Sequence, residues 1–423
     1  MSHLNEFIQK MEIAGIKTQT IKTFSHYYKQ FVNGEKGKLT KSQITLPDRT
    51  QILDYKYDSD VTCKHLEKLA IIKLNGGLGT SMGLSKAKSL LPVKNDDTFL
   101  DIIVKQTLKM REKFNVNLPL IFMNSFNTSK DTIEFLNKFK DFSVCDIPLE
   151  FVQNMFPKIR KDDFKPLENK SDAQNWNPPG HGDIYNALSD SGILDLLINK
   201  GFEYIFVSNS DNLGAVVDVN ILNMIYDNQL DFAMEVCIRS EMDKKGGHLA
   251  STKDGNLILR EVAQCPDDEI NEFQDINSYK YFNTNNLWIS LKALKSKLIE
   301  NDGVLPLPLI LNEKIVDSIN VIQMETAMGA AISIFNNSKA ICVERNRFVP
   351  VKKCQDLLLL WSDAYEINQD YVLCKRPGAK NTVLELDNDC YGNIEQLKLA
   401  CENGVPSLYN CEYLKIKGFV KFN

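Results

Sequence analysis

The apolar run LAIIKLN at 69–75 leads directly into Gly76, Gly77, Gly79 and Gly83. Without Cβ atoms such a stretch lets the backbone approach a ligand closely, and its N–H groups can point at phosphate oxygens. The spacing fits neither G-x-x-x-x-G-K-[ST] nor G-x-G-x-x-G, so the ATPase and dinucleotide readings fail. Lys86 and Lys88 follow at a distance where an ammonium can reach those phosphates. A plain turn beside solvated lysines needs one or two glycines, not four. A helix is expected after the loop.

Other segments carry weaker signals. Asn177-Pro178-Pro179-Gly180-His181-Gly182-Asp183 fixes an extended backbone that bends around something, with His181 placed to donate to a hydroxyl or phosphate. A helix start capped by Asp183 also explains it. Ser208-Asn209-Ser210-Asp211 closes a strand, and Asp211 there suits a Mg²⁺ ligand or, equally, a helix cap or Asx-turn. The D-x-D metal signature of glycosyltransferases is replaced by Asn209-x-Asp211, which weakens that reading. The Lys245-Gly246-Gly247-His248-Leu249 segment, Glu261, and the run from Phe282 to Trp288 are rich in hydrogen-bonding groups flanked by apolar residues. Buried sugar hydroxyls need such groups, and ordinary loop chemistry also supplies them. Arg345, Arg347 and Lys352 place three cations before a helix.

The elements that must position these residues alternate. LPLIFMNS (118–125), EYIFVSNSD (203–211) and DFAMEVCI (231–238) repeat the pattern of LAIIKLN, a buried strand ending in polar residues. Helical stretches at 99–113, 130–140 and 184–199 lie between them. That order implies a doubly wound α/β sheet, with the ligand beyond the carboxyl ends of the strands. Residues 1–60 read as a helical arm with apolar positions at Leu4, Phe7, Ile8 and Met11. The body runs over 61–366 and closes with a helix at 354–366. Turn signals at Pro377-Gly378, Gly392 and Gly404 mark 367–423 as a small C-terminal domain.

Composition narrows the classes further. A net charge of −5 over 423 residues argues against a general nucleic-acid binder. No stretch reaches the roughly 18 apolar residues of a membrane span, and the first residues lack a signal peptide's apolar core. The ten cysteines form no C-x-x-C pair and are expected to be reduced thiols in a cytoplasmic protein. The five histidines lack zinc-ligand spacing. No Ser-His-Asp or paired-carboxylate constellation is present.

Taken in order, KLNGGLGTSMG (73–83), FMNSFNTS (122–129), NPPGHGDIY (177–185), FVSNSDNLGA (206–215), KGGHL (245–249), FNTNNLWISL (282–291), QMETAMGAAI (323–332) and RFVPVKKCQDLLLL (347–360) resemble the UDP-glucose pyrophosphorylases of the eukaryotic type. The resemblance implies a Rossmann-like nucleotidyltransferase domain with a mixed, mainly parallel sheet. It also implies a C-terminal domain resembling a truncated left-handed β-helix. The implied substrates are UTP and glucose 1-phosphate, joined with Mg²⁺ to give UDP-glucose and pyrophosphate. Leu74, Asn75, Gly76 and Gly77 match the nucleotide loop through their backbone, and Gln153 and Gly180 match the uracil readers. His181, Asn209, Gly246, Glu261 and Asn285 match sugar-holding positions, with Asn286 as the alternative to Asn285. Lys88 and Lys352 match the two lysines on the phosphates, and Asp211 matches the Mg²⁺ ligand.

Departures are local. Many members have Gly-Pro where Lys86-Ala87 stand, and Glu344 and Asn346 replace a more usual Pro and Ser. The segment after Gly418 is short against the family's β-helix, so a monomer is expected, with no nucleic-acid or membrane partner. A pyrophosphorylase for N-acetylhexosamines differs after PPG, so His181-Gly182-Asp183 favours glucose. A non-catalytic sensor would not need Lys88, Asp211 and Lys352 together.

Overall fold

Runs of branched apolar residues become buried strands where helices cover the sheet's faces. The four strongest runs do so, as strands Leu69–Asn75, Leu120–Asn124, Tyr204–Asn209 and Phe232–Ile238. Helices Phe99–Phe114, Ser129–Leu136, Ile184–Asp190 and Ile193–Asn199 intervene, the last two separated at Ser191-Gly192, where Gly192 takes a left-handed φ of 80°. The computed structural model describes residues 3–422, and these divide into two compact units with mixed α/β architecture.

The first unit takes the chain up to Ala70, then Phe151–Val207 and Val219–Val343. Ile52–Asp54, Ser338–Cys342 and Phe232–Ile238 run parallel in that order. Tyr281–Ser290 lies antiparallel to both Phe232–Ile238 and Tyr204–Asn209. Its register jumps from Glu235↔Asn286 to Val236↔Asn283, so Thr284 and Asn285 bulge out of the ladder, and Asn285 adopts φ 60°.

The N-terminal arm belongs to this unit. Helices Leu4–Ile13 and Thr18–Val32 bury Phe7, Met11, Phe24, Tyr27 and Tyr28 in one cluster with Phe156, Ile159, Trp176 and Leu309. Burying a ring of this size contributes about 1.5–3 kcal/mol, so the arm is firmly seated. The helical expectation for residues 1–60 holds only as far as Val32. Gly34 and Gly37 take φ 90° and 63°, and beyond them no α-helix forms before residue 60, only 3₁₀ turns at Lys41–Gln43 and Arg49–Gln51 and two short strands. Ile44–Thr45 pairs with Ser251–Thr252, and Ile52–Asp54 joins the main sheet.

The second unit comprises Ile71–Glu150, Ser208–Asp218 and Glu344–Asn423. Leu69–Asn75 runs parallel to Leu120–Asn124. Helix Phe99–Phe114 starts with a reciprocal cap between Thr98 and Asp101. Helix Cys354–Trp361 is shorter than the expected 354–366, because Lys94 Nζ takes its last carbonyls, Leu360, Trp361 and Ser362, at 3.0, 3.3 and 2.6 Å. Residues 367–423 hold the strand Leu373–Lys375, paired with Tyr365–Ile367, and a parallel pair, Val383–Leu386 with Tyr413–Ile416. Helices Asn388–Tyr391 and Ile394–Ala400 lie between the parallel strands in sequence.

Candidate functional site

In the second unit the strand Leu69–Asn75 ends in a fixed corner. Asn75 is buried, its Nδ2 donating to Asn124 Oδ1 at 2.8 Å and Thr132 Oγ1 at 2.9 Å, and its Oδ1 accepting from Ser210 Oγ at 3.0 Å. Ser210 N–H donates to Leu74 C=O at 3.0 Å. With the Asn75 side chain taken up by these partners, the main chain of residues 74–77 is what can meet a ligand. The Gly76 carbonyl accepts from Ser125 Oγ at 2.9 Å and that of Gly77 from Lys88 N–H at 3.1 Å. Tying back the carbonyls leaves the amides as the groups suited to an anion.

The helix expected after this loop is absent. Thr80–Met82 and Lys88–Leu90 form single 3₁₀ turns, and the next α-helix begins at Phe99. Gly79 and Gly83, both left-handed, bound the first turn and stop it from propagating. A Cβ on Gly79 would lie 2.7 Å from Leu84 Cδ1 and 3.2 Å from Lys88 Cγ. Glycine there lets the Lys88 stem cross the loop.

Lys88 Nζ reaches Asp211 Oδ2 at 2.6 Å and also donates to the Val351 carbonyl. Val351 N–H in turn donates to Asp211 C=O at 3.1 Å. Asp211 therefore neither caps a helix nor makes an Asx-turn. The side chains of Lys88 and Asp211 are 14% and 24% exposed, partly shielded but open to a ligand. Lys352 follows at once and is exposed, and its ammonium makes no hydrogen bond among the described residues. Its backbone is fixed, since Asp356 Oδ2 accepts the N–H groups of Lys352 and Lys353 at 2.7 and 2.8 Å. Lys88, Asp211 and the Lys352 loop are thus brought together, while Lys86 is solvent-exposed. Lys73, given no role from sequence, is buried and donates to Ser208 Oγ and Ala215 C=O, both at 2.7 Å. It straps both ends of the segment bearing Asn209 and Asp211.

Among the described residues no group of three or more His, Cys, Asp or Glu is placed to hold a metal alone. One carboxylate beside the glycine loop, already in contact with a cation through Lys88, fits a divalent ion whose other ligands would be phosphate oxygens and waters.

The first unit carries Gln153, Gly180, His181, Gly246, Glu261 and Asn285. Gly182 N–H donates to Thr326 C=O and Thr326 N–H to Pro179 C=O, both at 2.9 Å. Gly180 has φ 79°, and a Cβ there would lie 2.5 Å from the Thr326 carbonyl. His181 Nδ1 accepts from Met328 N–H at 3.0 Å, which puts the proton of the neutral ring on Nε2. Burial lowers its pKa to about 4, so at neutral pH His181 is an uncharged donor. A Cβ on Gly329 would lie 2.8 Å from Asn283 Nδ2, so the Met328–Ser333 turn sits directly on the bulged strand. Asn283 and Asn285 exchange two hydrogen bonds of 2.8 Å, and Asn283 N–H donates to Gly247 C=O at 3.0 Å. Glu261 presses on Gly247, where a Cβ would lie 2.5 Å from its Oε2. His181, Asn285, the Gly246-Gly247 turn and Glu261 are linked in this way.

Asn286 is fully buried, and its Nδ2 donates to Glu235 Oε2 at 3.0 Å. Glu235 Oε1 accepts from Trp288 Nε1 at 2.9 Å. Of the two candidates, Asn285 is half-buried and Asn286 fully buried. The segment from Phe282 to Trp288 is strand, not loop. Sequence reasoning missed Glu235 and offered Gly247 only as part of the Lys245–Leu249 segment, without a role of its own. An acid inside the apolar run DFAMEVCI was the available signal for Glu235. Asn209 is half-buried and lies with Asp211 in the second unit, where its carbonyl accepts Asn212 N–H at 3.2 Å.

Residues 21–423 match the family model described as UTP–glucose-1-phosphate uridylyltransferase. The UTP–glucose-1-phosphate uridylyltransferase of Musa acuminata is 41% identical over 403 residues, which cover 93% of this chain and 85% of that one. A Dictyostelium discoideum relative named UTP–glucose-1-phosphate uridylyltransferase 2 is 37% identical, covering 99% and 82%. A crystal structure of a UDP-glucose pyrophosphorylase variant from Leishmania major, in complex with UDP-glucose, superposes with a TM-score of 0.92 at 41% identity, covering 99% of this chain and 91% of that one.

Proposed function

The chain belongs to the UTP–glucose-1-phosphate uridylyltransferase family, and from that premise we infer that it makes UDP-glucose and pyrophosphate from UTP and glucose 1-phosphate. The observation that carries this reading is the corner where Lys88 joins Asp211 and the Val351 carbonyl beside the glycine loop. The phosphate oxygen of glucose 1-phosphate, ionised at neutral pH, attacks the α-phosphorus of UTP in line. The bond to the β-phosphate oxygen breaks, and pyrophosphate leaves. No proton need be removed from the nucleophile, so positioning and charge neutralisation are the whole task.

Each group has a part in that task. The amides of residues 74–77 take phosphate oxygens, and Gln153 and Gly180 take the uracil. His181 donates through Nε2, and Asn209, Gly246, Glu261 and Asn285 satisfy sugar hydroxyls. Lys88 and Lys352 hold phosphoryl oxygens whose charge grows in the transition state. Asp211 holds Mg²⁺, which when bound offsets triphosphate charge.

Residues 61–366 form the catalytic body in this reading, between the N-terminal arm and a C-terminal domain. The truncated β-helix proposed for that last domain rests on the family resemblance, and its parallel strands Val383–Leu386 and Tyr413–Ile416 have two helices between them in sequence. A cytoplasmic monomer is the proposed state. The described cysteines are all free thiols, and charged pairs such as Lys415–Glu385 at 2.6 Å line the parallel pair, which disfavours edge association. Phosphorus NMR of a mixture with UTP, glucose 1-phosphate and Mg²⁺ tests the reading. The resonances of UTP should give way to those of UDP-glucose and pyrophosphate, and an unchanged spectrum would overturn it.

A further inference from the structure

Thr20, on the arm helix Thr18–Val32, is 1% exposed, and its Oγ1 lies 2.9 Å from Asn154 Oδ1 and 3.1 Å from Asp190 Oδ2. A hydroxyl has one hydrogen to donate, so the two oxygens share it. Asn154 grips Asp183 twice, through its backbone N–H to Oδ2 at 2.7 Å and its Nδ2 to Oδ1 at 2.9 Å. Its Nδ2 is also 3.4 Å from Asp190 Oδ2. Lys17 Nζ donates to the Asp190 carbonyl at 2.6 Å, and Thr23 Oγ1 accepts from Asn186 Nδ2 at 2.9 Å, so the same helix is anchored on both sides of Thr20. The Asp183 side chain, which sequence offered as a helix cap, is instead wholly directed at Asn154.

Two of these residues sit next to proposed substrate contacts. Asn154 follows Gln153 directly, and Asp183 lies two residues beyond His181. A side chain that grips the second loop with the backbone and the amide of the first fixes their separation. A rotation of Gln153 about its own peptide would break the 2.7 Å bond to Asp183.

We propose that the arm helix is part of the substrate-binding machinery. Through Thr20 it holds Asn154, and the grip of Asn154 on Asp183 sets the uracil-reading and sugar-reading loops as one body. Thr20, Asn154 and Asp183 are positioning residues, and the proposal rests on the assignment of Gln153 to the base and His181 to the sugar. Were the node only a fastening for the arm, its loss would lower thermal stability and leave substrate affinity alone.

The test compares steady-state kinetics and thermal unfolding of the full chain with those of Thr20→Val, Thr20→Ser and Asn154→Asp, and with Gln153→Ala as the control for the assignment. Thr20→Val keeps the shape and removes the donor, and should raise the KM for UTP about fivefold, the worth of one hydrogen bond, with kcat unchanged. Thr20→Ser restores the donor and should return KM to the native value. Asn154→Asp sets a carboxylate against Asp183 and should raise KM for both substrates, which keeps the idea testable if the valine variant does not fold. Thr20→Val with native KM and a lowered Tm would overturn the proposal, as would failure of Thr20→Ser to restore KM. If Thr20→Val changes nothing while Gln153→Ala raises KM, the assignment stands and the node falls. If Gln153→Ala itself leaves the KM for UTP unchanged, the assignment fails and takes the node with it.

Discussion

Replacing Lys352 with Met removes a charge and almost nothing else. The side chain is exposed, its ammonium makes no hydrogen bond among the described residues, and methionine keeps the aliphatic stem. The loop around it is held by other groups. Val351 N–H is bound to Asp211 C=O at 3.1 Å, Val349 N–H to Asn212 Oδ1 at 2.9 Å, and Lys352 N–H to Asp356 Oδ2 at 2.7 Å. None of these bonds involves the Lys352 side chain, so stability should change by no more than about 0.5 kcal/mol, the usual range for surface substitutions. An effect on rate must then come from charge. Loss of one fixed donor to a developing oxyanion costs about 2.7–4 kcal/mol, or roughly 10²–10³ in kcat. The KM for UTP should move far less, because the glycine loop and Gln153 are untouched. Coupled pyrophosphate release, with each substrate varied in turn, separates the two constants. A native kcat, or a loss confined to the KM for UTP, would show that Lys352 does not act in the transition state.

Three further outcomes follow from other parts of the structure. Chelation of Mg²⁺ should abolish turnover, and Asp211→Asn should lower kcat at saturating Mg²⁺ by at least about 10²-fold with the fold retained by circular dichroism; a native rate would remove Asp211 from the metal. Burial pushes the Asp183 carboxyl up to about 7 from an ordinary 3.8, so its stabilising contribution is complete below about pH 4 and is lost as pH rises through about 7. The Tm of Asp183→Asn relative to the native protein should therefore be more favourable at pH 8 than at pH 5, and the opposite trend would contradict the burial argument. Light scattering at micromolar concentration should report a monomer, and a stable higher oligomer would refute that state.

Local signals made the frame legible. Leu69–Asn75, Leu120–Asn124, Tyr204–Asn209 and Phe232–Ile238 are continuous apolar runs ending in polar residues, and burial on both faces leaves little else for such runs to form. Extended structure after Gly37 was not legible, because Ile44–Thr45 and Ile52–Asp54 are too short to show a period and owe their state to partners about 207 and 288 residues away in the chain. The glycine loop pointed to phosphate binding, but the turns that replace its expected helix depend on the left-handed Gly79 and Gly83. Choosing between Asn285 and Asn286 needed the register of the bulged strand, since only pairing places Asn286 opposite Glu235. Asp183 was ambiguous for the same reason. Its partner Asn154 lies 29 residues back and carries no motif.

The central claim is the transfer of uridylyl to glucose 1-phosphate. The most direct measurement is pyrophosphate release from UTP and Mg²⁺ with glucose 1-phosphate, galactose 1-phosphate and N-acetylglucosamine 1-phosphate offered separately, comparing kcat/KM. Family membership and the His181-Gly182-Asp183 segment predict that glucose 1-phosphate gives the highest value and that UDP-glucose accumulates with the pyrophosphate. No release with glucose 1-phosphate, or a higher kcat/KM for the N-acetyl sugar, would contradict it.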